Sequence, residues 1–246
     1  MPRPAHEFVE VRYQDVYRPA PRIIRVARAR RPGNDRHSRH WLVGHGVNQH
    51  VFFLLRSNLV GQPTGLNNFL TAEECKTIIA SGENNLELKV AKTEDHHVHE
   101  NLRQSGIGWF DPDREHTWLF NRISDCINAV NTDWFRYNLV GFEGIQFTKY
   151  AYKKDEHPDF YSSHKDTALL PGGTIRKLSF TIQLSDPETY SGGDVVLYNS
   201  LVDSVTLTGG LGSISFFPSY TIHEVKPVTK GIRYSLVGWA CGPAFV

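Results

Sequence analysis

Beyond Gly144, apolar and polar residues alternate with a period of two. Ile145-Gln-Phe-Thr-Lys-Tyr150 and Leu178-Ser-Phe-Thr-Ile-Gln-Leu184 each read as a strand with one apolar face. Val195-Val-Leu-Tyr198, Ser204-Val-Thr-Leu207, Ser213-Ile-Ser-Phe-Phe217 and Ile232-Arg-Tyr-Ser-Leu-Val-Gly-Trp239 continue the series. Pro171-Gly-Gly173, Ser191-Gly-Gly193, Thr208-Gly-Gly-Leu-Gly212, Pro218 and Gly231 interrupt it. Short strands at near-regular spacing with Gly/Pro turns predict an all-β sandwich or barrel.

Upstream the period lengthens. Thr71-Ala-Glu-Glu74 is a capping box, with Leu70 just before it, and predicts a helix from Thr71 to about Ser81, closed by Gly82. Trp118, Ile123, Ile127 and Val130 recur at helical spacing and predict a second helix over Glu115–Asn131, with Trp134 and Phe135 packing at its end. Helices first and strands afterwards give a mainly β fold with helices bracing one face of the β core. The expected division is an extension over residues 1–62 and a domain over 63–246, with helices at about 71–135 and the β core at about 144–246. No repeat at solenoid spacing is visible.

The extension has its own character. The first forty residues hold ten arginines against four acidic residues, and Arg31-Pro-Gly-Asn-Asp35 is a linker signal. Transit peptides are also arginine-rich, but this stretch lacks their serine enrichment, so it reads as a mobile basic leader, with contact to an acidic surface as the alternative. Val51-Phe-Phe-Leu-Leu55 is a candidate strand. The chain as a whole is 40 % hydrophobic, 12 % aromatic and carries a formal charge of +1, so a sizeable core is available and no nucleic-acid footprint appears. No apolar run reaches about 18 residues and no apolar h-region follows the N-terminus, which predicts no membrane partner, no signal peptide and a cytoplasmic location. Cys75, Cys126 and Cys241 form no CxxC and read as small buried hydrophobes.

The candidate chemistry lies in four residues. His164-Lys165-Asp166 spaces an imidazole and a carboxylate at i, i+2, which on a strand places both on one face. Alone, such a triplet is as readily a solvated loop. His223 follows an apolar strand and a turn at Pro218-Ser219, and opens the next strand. Two imidazoles and one carboxylate make the three-point face of a non-haem iron(II) site with open positions. Arg233 shares a strand face with Ser235, Val237 and Trp239. There a guanidinium needs a partner, which a dicarboxylate would supply through a bidentate fork, with Ser235 adding a hydroxyl. The alternative is a reversed face with Arg233 in solvent.

Taken together, these elements resemble the prolyl 4-hydroxylase-like (PKHD-type) branch of the Fe(II)/2-oxoglutarate-dependent dioxygenases. The resemblance runs from about Asn67 to Phe245. It is carried by Asn68-Phe-Leu-Thr-Ala-Glu-Glu-Cys75, Trp134-Phe135, Gly144-Ile-Gln-Phe-Thr-Lys-Tyr150, Tyr161-Ser-Ser-His-Lys-Asp166, Arg176–Ser185, Tyr190-Ser-Gly-Gly-Asp194 and His223–Ser235. It implies a double-stranded β-helix (jelly-roll, cupin-like) core with the metal near one mouth. His164, Asp166 and His223 would bind Fe(II), and Arg233 would anchor the distal carboxylate of 2-oxoglutarate. Tyr150 matches a tyrosine that reaches the cosubstrate, while Gln183 stands where some relatives place a second such tyrosine. The implied reaction uses O₂, releases succinate and CO₂ and hydroxylates a C–H bond, with ascorbate as an accessory reductant. An aspartate at 166, rather than a small residue, points to hydroxylation instead of halogenation. The expected substrate is a prolyl residue of a peptide or protein. A free amino acid or other small molecule is the alternative within the same chemistry, and a non-catalytic peptide-binding module on the same fold is the alternative outside it.

Other features remain open. His96, His97 and His99 form an HHxH cluster that reads as a solvated loop near the mouth or as a metal site. Arg103-Gln104-Ser105 resembles an Arg-x-Ser that lines the substrate side in similar hydroxylases, or is an ordinary surface charge. Arg176 and Lys177 precede a predicted strand, and either faces substrate or solvent. Gly172-Gly173 and Gly192-Gly193 read as turns, since neither precedes a helix.

Overall fold

The computed structural model describes residues 62–90, 102–154, 157–200 and 203–245. The basic leader, the strand expected at Val51–Leu55 and the His96, His97, His99 cluster lie outside these residues. Strand β1 (Thr64–Leu66) leads to helix α1 (Ala72–Asn85), then β2 (Lys89–Val90), β3 (Arg103–Gln104), β4 (Gly106–Phe110) and helix α2 (Thr117–Val130), which runs into a π-helical turn at Asn131–Phe135. The β region follows: β5 (Gly141–Phe142), β6 (Ile145–Ala151), β7 (Phe160–His164), β8 (Thr174–Gln183), β9 (Ser191–Gly192), β10 (Val195–Tyr198), β11 (Ser204–Thr206), β12 (Ile214–Pro218), β13 (Ile222–Val225), β14 (Val228–Lys230) and β15 (Ile232–Pro243).

An eight-stranded sheet has the order β1-β12-β8-β15-β6-β4-β2, with β5 paired to β15. A five-stranded sheet has the order β11-β10-β13-β7-β3. Strands distant in sequence are neighbours in both, as a jelly roll requires. The two sheets face each other as a double-stranded β-helix, as the alternation and the resemblance predict.

Helices α1 and α2 brace the outer face of the large sheet. Ile78 of α1 and Leu119, Ile123 and Ile127 of α2 join Phe110, Phe147, Phe180, Phe216 and Leu236 in one apolar cluster. The predicted capping box is present: Thr71 Oγ1 accepts from the Glu74 N–H at 3.1 Å, and the Thr71 N–H donates to Glu74 Oε2 at 2.9 Å. Arg122 then forks onto Glu74 with two 2.8 Å bonds and ties α2 to α1.

Several boundaries differ from expectation. Helix α1 runs past Gly82 to Asn85. Gly82 is no C-cap; a Cβ there would sit 2.6 Å from Phe147 Cζ, so its glycine serves close packing of helix on sheet. Helix α2 starts at Thr117, and Trp118 lies outside the apolar stripe, 36 % exposed beneath the Arg122 guanidinium. β8 begins at Thr174, so Arg176 and Lys177 lie within it. Gly172, Gly173, Gly192 and Gly193 all have positive φ, as turns demand. The three cysteines are free and buried.

Candidate metal centre and cosubstrate pocket

The site lies between the sheets, and local backbone geometry on β7 builds it. His223 of β13 pairs with His164 of β7, and Val225 pairs with Tyr161. Ser162 and Ser163 together therefore oppose only Glu224, which is a β-bulge. Strict alternation would put Tyr161 and His164, three residues apart, on opposite faces. The bulge turns both to the pocket, where they join His223 and Val225.

Asp166 arrives by a different route from the one its spacing implied. β7 ends at His164, so the His-x-Asp triplet does not lie on one strand. The chain instead turns back, and the Asp166 and Thr167 N–H groups both donate to the Ser219 carbonyl, at 2.9 and 3.1 Å. Ser179 of β8 donates to Asp166 Oδ2 at 2.7 Å, and the Ser179 and Ser219 hydroxyls lie 3.0 Å apart. The loop after β7 is thus held from β8 and from the turn after β12.

Each imidazole is fixed by its far nitrogen. His164 Nδ1 lies 2.7 Å from the Ser162 carbonyl and His223 Nδ1 lies 3.0 Å from the Thr221 carbonyl. A carbonyl only accepts, so each Nδ1 carries the proton and each Nε2 presents a lone pair. His164 Nε2 stands 3.6 Å from Asp166 Oδ1, and His223 Nε2 stands 3.4 Å from Asp166 Oδ2. Burial, then the neighbouring His223, lowers the His164 pKa to about 4, against the pull of Asp166. Burial alone would raise Asp166; the adjoining histidines and the Ser179 hydroxyl more than offset it, so its carboxyl lies below the usual range. An ionised carboxylate beside a neutral imidazole is the protonation state that metal binding requires.

The donor set fits Fe(II). One ligand atom from each of His164, Asp166 and His223 lies within 4.8 Å of the others, a spread that bonds of about 2 Å to one shared ion can bridge with small movements. His164, Asp166 and His223 would supply three ligands to such an ion, fewer than a six-coordinate metal takes.

Arg233 occupies the same pocket, with Ser235, Val237 and Trp239 beside it on β15. It is 4 % exposed, so the reading that places it in solvent is overturned. Its Nη1 meets Ser235 Oγ at 3.4 Å, and its Cζ lies 5.9 Å from the centre of the Tyr150 ring. Among the described residues no carboxylate pairs with it. A buried guanidinium whose contacts among the described residues are a long hydroxyl bond and a nearby ring has donors left to offer an anion. Gln183 does not reach the metal pocket. Its amide donates to the Ser185 carbonyl at 3.0 Å and the Tyr190 hydroxyl at 2.7 Å, and it lines a polar hollow on the other side of Arg233.

Three residues in or behind the pocket wall carry no assignment from the sequence. Ser179 orients Asp166; the signal was its place among the polar positions of a strand buried on both faces. Tyr161 stacks on His164 at 3.5 Å between ring centres, which only the bulge allows. Gln146 accepts from Arg103 at 3.0 Å. Arg103 itself is 8 % exposed and lines the pocket, so it is no surface charge.

Comparison with known proteins agrees with this geometry. Residues 145–241 match the model of the 2OG-Fe(II) oxygenase superfamily. A PKHD-type hydroxylase of Synechococcus elongatus is 42 % identical over 82 residues, covering 32 % of this chain and 36 % of its own length. One from Idiomarina loihiensis is 31 % identical over 136 residues, covering 54 % of this chain and 62 % of the relative. The chain thus spans between about a third and three fifths of the length of these relatives. A crystal structure of a Pseudomonas putida prolyl-4-hydroxylase shares the fold, with a TM-score of 0.58 at 22 % identity over 78 % of this chain and 96 % of the other. So does a Trichoplax adhaerens prolyl hydroxylase in complex with a hypoxia inducible factor peptide fragment, with a TM-score of 0.60 at 19 % identity over 79 % and 89 %. Residues 145–241, which match the 2OG-Fe(II) oxygenase superfamily model, contain His164, Asp166, His223 and Arg233, and the fold is one shared with prolyl hydroxylases.

Proposed function

We propose that this protein is an Fe(II)- and 2-oxoglutarate-dependent dioxygenase that hydroxylates a C–H bond of a prolyl residue in a peptide or protein. The carrying observation is the convergence, in one pocket, of a two-histidine, one-carboxylate face and a buried arginine with no carboxylate partner among the described residues. The similarity to PKHD-type hydroxylases and prolyl hydroxylase folds supports the prolyl substrate. Bound iron would supply the redox chemistry that couples decarboxylation of 2-oxoglutarate to succinate and CO₂, using O₂, with hydroxylation of the substrate.

In this reading His164, Asp166 and His223 are the ligands. The Ser162 and Thr221 carbonyls hold the two rings in the tautomer that offers Nε2, and Ser179 keeps one carboxylate oxygen of Asp166 oriented. Arg233 receives the distal carboxylate of 2-oxoglutarate through its fork, with the Ser235 hydroxyl and the Tyr150 ring closing the same end. Phe217, Val195 and Val225 form apolar wall around the reacting groups and keep water out. A reducing, cytoplasmic setting is part of this reading and suits the three free thiols.

The test is anaerobic mixing of the full chain with Fe(II) and 2-oxoglutarate. A weak visible charge-transfer band is expected, followed in air by succinate above background and +16 Da products in a prolyl peptide panel. Absence of both band and succinate would sink the oxygenase assignment; succinate without a modified prolyl peptide would move the substrate to another class. Repeating the succinate assay with and without ascorbate reads the need for an accessory reductant.

A further inference from the structure

The pocket holds a second buried cation that the proposed cosubstrate does not use. Arg103 of β3 is 8 % exposed. Its Nε donates to Ser105 Oγ at 2.9 Å, one Nη donates to Gln146 Oε1 at 3.0 Å, and its Cζ lies 4.5 Å over the Tyr161 ring. All three partners are neutral, and among the described residues no carboxylate pairs with it. Burying a guanidinium among neutral groups costs free energy that hydroxyl, amide and ring contacts only partly offset.

Arg103 and Arg233 are not two ends of one anion site. Arg103 engages β6 at Gln146, whereas Arg233 stands by Tyr150, four residues along the same strand. At about 3.3 Å per residue that is roughly 13 Å of strand. A five-carbon diacid, with bonds of about 1.5 Å, is roughly 5 Å between its terminal carbons. Arg103 also lies on the His164 side of the pocket, through the Tyr161 ring that stacks on that imidazole. A cosubstrate bound at Arg233 would leave Arg103 without a carboxylate partner among the described residues.

The balance of formal charge leads to the same place. With a divalent metal, one Asp166 carboxylate, a doubly charged 2-oxoglutarate and Arg233, the charges sum to zero. Arg103 then remains as one positive charge facing the space left for substrate. We infer that Arg103 pairs with a carboxylate of the substrate, so that the preferred prolyl substrate carries an anionic group beside the reacting ring. This rests on the oxygenase reading and narrows it. The carboxylate has two sources: the C-terminus of a terminal proline, or the side chain of an adjacent acidic residue.

The experiment is calorimetric titration of the full chain, loaded with Zn(II) as a metal that does not turn over and with saturating 2-oxoglutarate. Three short N-acetylated peptides are compared: one ending in a free prolyl carboxylate, the same peptide as its carboxamide, and a carboxamide with Glu next to the proline. Binding at least about tenfold tighter for one of the acidic peptides than for the neutral carboxamide is expected, and which one binds identifies the source. Comparable affinity for all three, or no measurable binding by any, overturns the inference. The result does not depend on the band and succinate assays, so failure here is separable from failure of the oxygenase reading. Arg103→Gln should abolish the preference within the same panel and Arg103→Lys should keep part of it; a preference undiminished in Arg103→Gln would also overturn the assignment.

Discussion

The two faces of the large sheet are buried to similar degrees and built on opposite principles. On β8, Leu178, Phe180 and Ile182 are fully buried in the cluster shared with α1 and α2. Alternating with them, Ser179, Thr181 and Gln183 face the small sheet, with Ser179 fully buried and Gln183 7 % exposed. On β15 the same split sets Leu236 against Arg233 and Ser235. The helix side gains stability from close-packed apolar contact. The pocket side keeps polar groups out of water and, among the described residues, leaves the Arg233 guanidinium without a carboxylate partner, which lowers stability and leaves it available to ligands. Burial therefore does not separate core from site; the state of the polar groups does.

Five substitutions test that contrast, from the largest expected effect downward. Asp166→Ala removes the only carboxylate of the donor set, and the charge-transfer band and succinate formation should fall below detection; a normal band would remove Asp166 from the ligand set. Phe180→Ala should lower unfolding free energy by about 3–5 kcal/mol in urea titrations. While folded, its metal affinity should be nearly unchanged, and a loss of metal binding as large as the loss of stability would erase the distinction between the faces. Arg233→Met should weaken 2-oxoglutarate by about 2 kcal/mol or more, roughly 30-fold. Its urea midpoint should hold or rise, because a buried charge with no carboxylate partner among the described residues is removed. A marked drop in that midpoint would mean the guanidinium stabilises the free protein.

Ser179→Ala should weaken metal binding by roughly 10- to 100-fold, since Asp166 loses the hydroxyl that orients it. Titration with Co(II) reads this directly, and unchanged affinity would refute the orienting role. The smallest effect belongs to the helix side. The Arg122 fork holds the Glu74 carboxyl below its ordinary 4.5, against partial burial. A depressed folded pKa gives stability that is complete above about 4.5 and is lost as pH falls through the lower folded value. Glu74→Gln should therefore cost about 0.5–1 kcal/mol at neutral pH and flatten the acid limb of the stability profile. An acid limb as steep as in the unmodified protein would place that pH dependence elsewhere.

The strand series from 145 onward, the capping box at Thr71 and the apolar stripe of α2 were legible because each rests on local periodicity or local hydrogen bonding. So was the shared face of Arg233, Ser235, Val237 and Trp239, since β15 keeps its alternation through that stretch. Helix α1 was read short because Gly82 carries a stop signal in sequence, and only the Phe147 ring against it shows the glycine to be a packing device. The His-x-Asp triplet was the right pair of residues with the wrong local geometry.

By itself the sequence determined the β architecture, the bracing helices and the residue types able to hold a metal and an organic acid. Side-chain alternation and capping are properties of neighbours along the chain, so a linear reading recovers them. The tertiary structure alone decided how those residues meet. A bulge at Ser162-Ser163 swings His164 and Tyr161 to one face, the Ser219 carbonyl draws Asp166 out of the strand line, and β3 carries Arg103 into the wall beside Gln146. Each depends on hydrogen bonds between segments distant in sequence, whose register no local pattern encodes. That is why four residues could be assigned in advance while Arg103, which the sequence left open between substrate side and surface, took its place in the pocket only when both sheets were in place.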